Sequence, residues 1–170
     1  MRSTAKAIIL GAATLALVLL ASVPAHARDS LGMFETWGAF RDPGVPRCYA
    51  IAMAAPSAQR REFQPYASVG TWPRRGVRNQ LHLHLSRRIQ PGSRITLAIG
   101  GQRFALAGGG ADAWPPDRRT DAAVIAALRS ARTMTVSARD SSGRSFSNSW
   151  PLAGAATAMD AAAIGCARLR

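Results

Sequence analysis

The sequence has very few of the side chains that most often carry acid–base, metal or thiol chemistry. Lys6 is its single lysine, Glu35 and Glu62 are its two glutamates, and it holds 3 histidines and 2 cysteines in 170 residues. A metal or catalytic site would therefore have to be assembled from a very small set of groups.

Nucleophile motifs are also missing from the stretch 28–170. It contains no G-x-S-x-G elbow, no S-x-x-K pair and no cysteine beside a histidine. Gly108-Gly109-Gly110 lacks the G-K-[ST] ending of a phosphate-binding loop. We therefore predict no catalytic residues and a protein that is not an enzyme. A hydrolase whose site forms only on folding stays open as an alternative, and a cleft that joins a perturbed carboxylate or His82 and His84 to a pocket would favour it.

Beyond residue 27, His82 and His84 are the only histidines. They alternate with leucines in Leu81-His82-Leu83-His84-Leu85, so a strand would turn both rings to the same face. A zinc site needs three or four ligands, and nearby arginines would repel a cation. These arginines are Arg78, Arg87 and Arg88. We predict solvent-facing histidines, no bound metal and no cofactor.

Long apolar runs are absent except at the N-terminus. Arg2 and Lys6 precede the apolar stretch 7–23, and Ala25-His26-Ala27 follows with the small-x-small pattern of a signal-peptidase site. The run is shorter than the ~20 residues that a membrane helix needs. We predict a signal peptide over 1–27, one domain over 28–170, and a periplasmic or secreted location.

The two cysteines lie near opposite ends of the predicted domain. Export would place Cys48 and Cys166 in an oxidising compartment, where unpaired thiols are unusual. We predict a Cys48–Cys166 disulfide that ties an early strand to the last helix. A metal pair or a catalytic thiol is the alternative, although neither cysteine lies in a C-x-x-C or histidine-flanked motif.

Strand patterns dominate the predicted domain, which indicates an all-β, β-sandwich-like fold with one short helix and a C-terminal helix. Gly100-Gly101 predicts a tight hairpin, and Thr120 can cap the short helix that begins at Asp121. The C-terminal helix is predicted over Gly154–Arg168. The predicted strands are Met33–Phe40, Cys48–Ala54, Tyr66–Trp72, Leu81–Leu85, Arg94–Ile99, Gln102–Ala107, Thr133–Ala138 and Ser145–Leu152.

Arginine is the abundant charged residue. Removing Arg2 and Lys6 from the 22 basic residues leaves 20 against 9 acidic ones, a formal net charge of +11. Several arginines form doublets in predicted loops or at strand ends, and such a surface attracts polyanions. Solubility and a GC-rich genome explain the same composition, and net charge alone favours that interpretation. The candidate anion-binding residues are Arg60, Arg61, Arg74, Arg75, Arg87 and Arg88.

An ordered set of motifs spans nearly all of 28–170. It comprises Trp37, Cys48-Tyr49, Leu97-Ala98-Ile99-Gly100-Gly101-Gln102-Arg103-Phe104-Ala105-Leu106, Ala113-Trp114, Ile125-Ala126-Ala127-Leu128-Arg129, Met134-Thr135-Val136, and Leu152-Ala153-Gly154 through Cys166. In order and spacing this set resembles the invasion-associated locus B family of exported bacterial proteins. The resemblance implies export and a β-sandwich-like domain, and it supplies no catalytic residue set.

Together these patterns predict a non-enzymatic, exported envelope protein that acts as a binding or interaction domain. The expected partner is an unknown protein or an anionic component of the envelope or of a host surface, with peripheral membrane contact and no specific nucleic acid. A structural or assembly factor of the envelope is a further alternative beside the hydrolase.

Overall fold

The computed structural model describes residues 28–167. The predicted signal peptide, 1–27, lies outside the described residues. Residues 168–170 also lie outside them, including Arg168, the predicted end of the C-terminal helix. The strands are β1 (Asp29–Phe34), β2 (Trp37–Asp42), β3 (Arg47–Met53), β4 (Tyr66–Trp72), β5 (Val77–His84), β6 (Ile95–Ile99), β7 (Gln102–Gly109), β8 (Asp112–Trp114), β9 (Thr133–Arg139) and β10 (Ser145–Pro151), and the helices are α1 (Arg118–Ser130) and α2 (Ala155–Ala167). Neither helix in this part of the chain is long and apolar enough to cross a bilayer.

All strand pairs in the described part are antiparallel, in the order β1-β2-β3-β4-β5-β8-β7-β6-β9-β10. Strand β7 belongs to two ladders, because 102–106 pair with β6 and 107–109 pair with β8. If the sheet were flat, its third and tenth strands would lie roughly 33 Å apart. Instead the N–H of Ala55, just after β3, donates to the carbonyl of Ser149 in β10 at 2.8 Å. The sheet therefore folds back on itself.

A buried polar pair joins the two halves of the folded sheet. Ser86 follows β5, and its backbone N–H donates to Oδ1 of Asn148 at 3.0 Å. The Asn148 amide in turn donates to the Ser86 hydroxyl at 3.0 Å. Both residues are buried, and their mutual hydrogen bonds offset the desolvation that burial imposes.

One apolar core fills the space between the two halves. Alternate positions of β5, β6, β9 and β10 point inward. The period-two pattern of Leu81, Leu83 and Leu85 predicts this arrangement, and all three leucines are fully buried. Helix α1 packs beside β5, β6 and β7, and α2 covers β1 to β4. The largest fully buried side chains also include Trp37, Trp150, Leu97, Ile99, Leu128, Met134 and Met159.

The predicted Gly100-Gly101 hairpin is confirmed. Ile99 pairs with Gln102, and both glycines have positive φ, at 54° and 85°. Mirror-image two-residue turns need this backbone conformation, which side chains with a Cβ rarely adopt.

The strand predicted over Met33–Phe40 is wrong in one respect, because it contains a turn. Phe34 pairs with Trp37, and Glu35 takes a left-handed φ of 53°. Glu35-Thr36 carries none of the usual glycine or asparagine turn residues, so the pattern of aromatic residues concealed the reversal.

The cap of α1 also differs from the prediction. Asp117 is the N-cap, and its Oδ1 accepts the backbone N–H of Thr120 at 2.7 Å. The helix therefore begins at Arg118, one turn earlier than the predicted start at Asp121. An aspartate at the N-cap both accepts this hydrogen bond and carries the charge that the helix dipole favours.

The predicted disulfide between Cys48 of β3 and Cys166 of α2 is present. Cys166 lies within the helix and shares its buried face with Met159 and Ala162. At the start of α2, Gly154 has φ 82°, and a Cβ there would overlap the carbonyl oxygen of Phe34. The predicted fold class, an all-β domain with one short helix and a disulfide-tied C-terminal helix, is confirmed.

We expect replacement of both cysteines, Cys48→Ser with Cys166→Ser, to lower the free energy of unfolding by about 4–5 kcal/mol, because the bond closes a very long loop in the unfolded chain. The separation is 118 residues. Urea unfolding of oxidised and doubly substituted protein measures the difference. Equal midpoints would contradict a stabilising role.

Candidate functional site

A groove lies on the outer face of β3, β4, β5 and β8, on the side of the sheet away from the core. Its volume is ≈650 Å³. Aromatic and polar side chains alternate along its walls. It is lined by Arg28, Arg47, Tyr49, Ile51, Tyr66, Ser68, Gly70, Trp72, Gln80, Leu81, His82 and Trp114, which we call the aromatic groove. Pockets of this size and mixed lining are typical of small-ligand sites.

His82 and His84 stand on this outer face, where the strand alternation predicts them. Their side chains are partly covered and share one acceptor, Asp112 at the start of β8. The same oxygen, Oδ1, lies 2.9 Å from His82 Nε2 and 2.8 Å from His84 Nδ1. If Asp112 accepts from both rings, His82 carries its proton on Nε2 and His84 carries its proton on Nδ1.

The Asp112 carboxylate is stabilised in its charged form. Burial alone would raise its pKa, but hydrogen bonds from His84 and His82 and the charges of both rings outweigh burial and lower the pKa below its usual value. Among residues 28–167, no three metal-binding side chains are grouped so that they could hold an ion. Both histidines contact Asp112 instead.

Aromatic rings cover the histidines from one side. Tyr66 stacks on His84 with ring centroids 5.3 Å apart, and Phe63 meets His84 edge-on at 5.4 Å. Burial and, secondarily, the Asp112 charge raise the pKa of the Tyr66 hydroxyl, so it stays a neutral donor at ordinary pH. Arg88 lies over the far side of this row, 5.5 Å from the Phe63 centroid.

Two tryptophans border the aromatic groove. Trp72, at the end of β4, reaches back along the sheet over Gly70, so closely that a Cβ on Gly70 would lie 2.6 Å from Cη2 of the indole. Trp114, in β8, is 39% exposed. Trp37 and Trp150 are fully buried in the core instead.

The structure brings four of the six candidate arginines together. Arg60 and Arg61 precede β4, whereas Arg87 and Arg88 follow β5, and Arg87 Nε donates to the carbonyl of Arg60 at 2.9 Å. Arg144, which sequence analysis did not select, joins them. Arg60, Arg87 and Arg144 line a concavity of ≈280 Å³ together with Glu62. We call Arg60, Arg61, Arg87, Arg88 and Arg144 the arginine cluster.

Arg74 and Arg75 lie elsewhere. They form the exposed 3-10 turn Pro73–Arg75 between β4 and β5, which ends at Gly76 with a left-handed φ of 63°. This turn is at the opposite end of β4 and β5 from the arginine cluster. The doublet Arg74-Arg75 therefore does not belong to one continuous site with the other four candidates.

Asp140 holds two members of the arginine cluster, Arg87 and Arg144. This buried carboxylate accepts Arg87 Nη1 at 2.9 Å and the backbone N–H groups of Ser142 and Arg144 at 3.0 Å each. Burial would raise the pKa of Asp140, but the Arg144 backbone hydrogen bond, the Arg87 side chain and the Ser142 N–H lower it. The turn 140–143 thus fixes one arginine and positions another.

A serine and a histidine of the aromatic groove also lie near an aspartate outside it. Ser68 of β4 pairs directly with His82 of β5, and His82 bonds to Asp112. In the described part of the chain, no hydrogen bond joins the Ser68 hydroxyl to His82. Sequence reasoning missed this trio because Asp112 is 30 residues from His82 and only the fold pairs them.

The chain matches no protein-family model, no curated protein and no solved structure. Its resemblance to the invasion-associated locus B family therefore stays a prediction.

Asp112 and Asp121 are expected to respond oppositely to pH. Asp121, in the first turn of α1, accepts the Leu81 N–H at 3.0 Å, and burial raises its pKa despite that bond. A lowered folded-state pKa contributes stability above the unfolded pKa and loses it as pH falls through the folded value. A raised one imposes a penalty at neutral pH that acid removes.

Relative to Asp112→Asn, the wild type should therefore lose its stability advantage between pH 7 and about 2, and the loss should be confined to pH values below about 4. Relative to Asp121→Asn, it should gain stability over the same range. Urea unfolding of the three proteins across this range measures both trends. Parallel pH profiles for the two variants would contradict the assignment.

Proposed function

We propose that this protein is an exported, non-enzymatic binding domain that holds an anionic component of the cell envelope or of a host surface. The observation that carries the proposal is the arginine cluster, in which two separate chain segments and the turn before β10 bring five guanidinium groups to one end of the sheet. Three arginines line the concavity with one glutamate, Glu62, and an excess of positive charge in a concave place attracts anions more strongly than the same excess spread over a surface.

Some members of the arginine cluster are fixed and others face outward. Arg87 is held by Asp140, and Arg61 Nη2 donates to the carbonyl of Ala55 at 2.8 Å. Arg60 and Arg88 are exposed and have no carboxylate partner among residues 28–167. The fixed arginines shape the surface, while the outward ones have donors to offer a phosphate, sulfate or carboxylate group.

The ordinary alternative is that the arginines serve solubility alone. The geometry favours binding because Arg60, Arg87 and Arg144 line one concavity, and their mutual repulsion is offset only in part by Glu62 and the buried Asp140. Such concentration costs folding free energy and is expected where it serves recognition.

The test uses the purified protein with three anionic probes, namely heparin, lipopolysaccharide and vesicles of acidic phospholipid. Binding to at least one should be strong at low salt and weaken steeply by ~0.3 M salt, where the Debye length is only several Å. Arg60→Ala with Arg88→Ala should lower the affinity by roughly tenfold, as expected for two charged contacts.

Arg74→Ala with Arg75→Ala is the matched control, since it removes the same charge from the separate turn and should change the affinity far less. Equal losses in both double variants would show attraction by net charge alone and overturn the assignment to the arginine cluster. Absence of binding to all three probes at low salt would overturn the proposal that the ligand is anionic.

A hydrolase remains a second candidate on one observation. His82 of the aromatic groove contacts Asp112, whose pKa is lowered, and it is paired with Ser68 on the adjacent strand. Beside this trio, the Leu81 N–H donates to Asp121 Oδ1 and the Asn79 N–H donates to Thr71 Oγ1, so neither group is free to serve an oxyanion hole. Ester hydrolysis that is abolished by Ser68→Ala, with unchanged circular dichroism, would establish this candidate. Equal hydrolysis by wild type and variant would exclude Ser68 as the nucleophile.

A further inference from the structure

We infer that the aromatic groove is a separate recognition site that binds one or two sugar rings of an acidic glycan. The inference rests on the proposed function, which supplies the expectation that the ligand is acidic. It adds that the ligand is a glycan. It concerns a different surface from the arginine cluster, so each can be tested alone.

The aromatic groove offers ring faces that lie along the sheet. The Trp72 indole of β4 lies over Gly70, which has no side chain to lift it, and Trp114 is 39% exposed on β8, on the other side of β5. A pyranose ring presents an apolar face of C–H groups with hydroxyls around its edge. Such a face stacks on an aromatic ring, while the edge needs hydrogen-bond partners.

Polar groups stand beside these rings at the spacing of adjacent strands. Ser68 is paired with His82, and Gly70 is paired with Gln80, so Ser68, His82 and Gln80 form a small polar area in the aromatic groove. His82 Nδ1 has no hydrogen-bond partner among the described residues. A lipid acyl chain would leave these groups without partners, which costs free energy, whereas sugar hydroxyls would satisfy them.

The rim of the aromatic groove is positively charged. Arg28 and Arg47 both approach the single carboxylate of Asp42, with N–O distances of 3.8 and 3.6 Å. The Arg47 guanidinium also lies 4.8 Å from the Tyr49 ring centroid, which holds it beside the groove. Two arginines share one carboxylate, so one positive charge remains to pair with a carboxylate or sulfate group of the sugar.

A row of rings connects the aromatic groove with the arginine cluster. It runs from Arg88 over Phe63 to His84, and from His84 to Tyr66, with successive separations of 5.5, 5.4 and 5.3 Å. Tyr66 lines the aromatic groove. An extended acidic glycan can therefore contact both surfaces, with charge held at the arginine cluster and ring shape recognised in the groove.

Tryptophan fluorescence tests the inference directly, because Trp37 and Trp150 are fully buried and only Trp72 and Trp114 border the aromatic groove. The probe is a tetrasaccharide of uronic acid, compared with a neutral glucose tetrasaccharide. We expect the uronic probe to change the emission and to bind more tightly. Trp72→Ala should weaken its binding roughly fivefold to tenfold, as expected for loss of one ring contact.

Gly70→Ala is a second variant that keeps every chemical group of the aromatic groove. Its new Cβ would meet the Trp72 ring and lift it from the sheet, so the affinity should fall while the aromatic content is unchanged. Ile164→Ala, at a 70% exposed position on α2, is the control and should bind like the wild type. Unchanged affinity in both groove variants, with folding verified by circular dichroism, overturns the inference.

Two further outcomes separate this inference from the proposed function. If Arg60→Ala with Arg88→Ala weakens heparin binding while Trp72→Ala leaves the uronic probe unaffected, the arginine cluster stands and the sugar site fails. If only the groove variants lose binding, the sugar site stands and the cluster fails. Tighter binding of a thymidine hexanucleotide than of the uronic probe overturns the choice of glycan, since bases also stack on such rings.

Discussion

The return of the sheet on itself is the constraint on which the rest of the structure depends. It is made at β7, which pairs with β6 along its first half and with β8 along its second. The buried pair Ser86 and Asn148 then fixes how the two halves face each other. Because the inner faces meet, one apolar core suffices, and the outer face of β3 to β5 is left free for polar and aromatic side chains.

The two proposed binding surfaces follow from that free face. The aromatic groove lies on it, the arginine cluster lies at one end of the sheet, and Phe63, His84 and Tyr66 connect the two. Asp112 enters this face from β8 and anchors both histidines, so a carboxylate with a lowered pKa lies under the rings. At the same time Asp140 holds Arg87 from below. Asp112 thus positions the two histidines, and Asp140 positions Arg87. These larger side chains stay accessible to a ligand.

Much of the fold was predictable because its signals are local. The alternation of Leu81, Leu83 and Leu85, the Gly100-Gly101 turn and the apolar face of α2 each depend on neighbouring residues and a backbone period. The Glu35-Thr36 turn was not predictable, because it contains none of the usual turn residues. Strand β8 was not predictable, because its three residues are too few to show a period. The disulfide was predictable by a different route, because only two cysteines exist and export would oxidise them.

The sequence by itself determined the strand-rich character, the pairing of Cys48 with Cys166 and the excess of arginine, because composition and short-range periodicity carry that information. Only the tertiary structure decided that Arg60 and Arg61 meet Arg87 and Arg88 while Arg74 and Arg75 do not, and that Asp112 reaches both histidines. These contacts join residues that lie tens of positions apart in the chain. Their geometry depends on strand register and on the folding back of the sheet, and no local pattern records either.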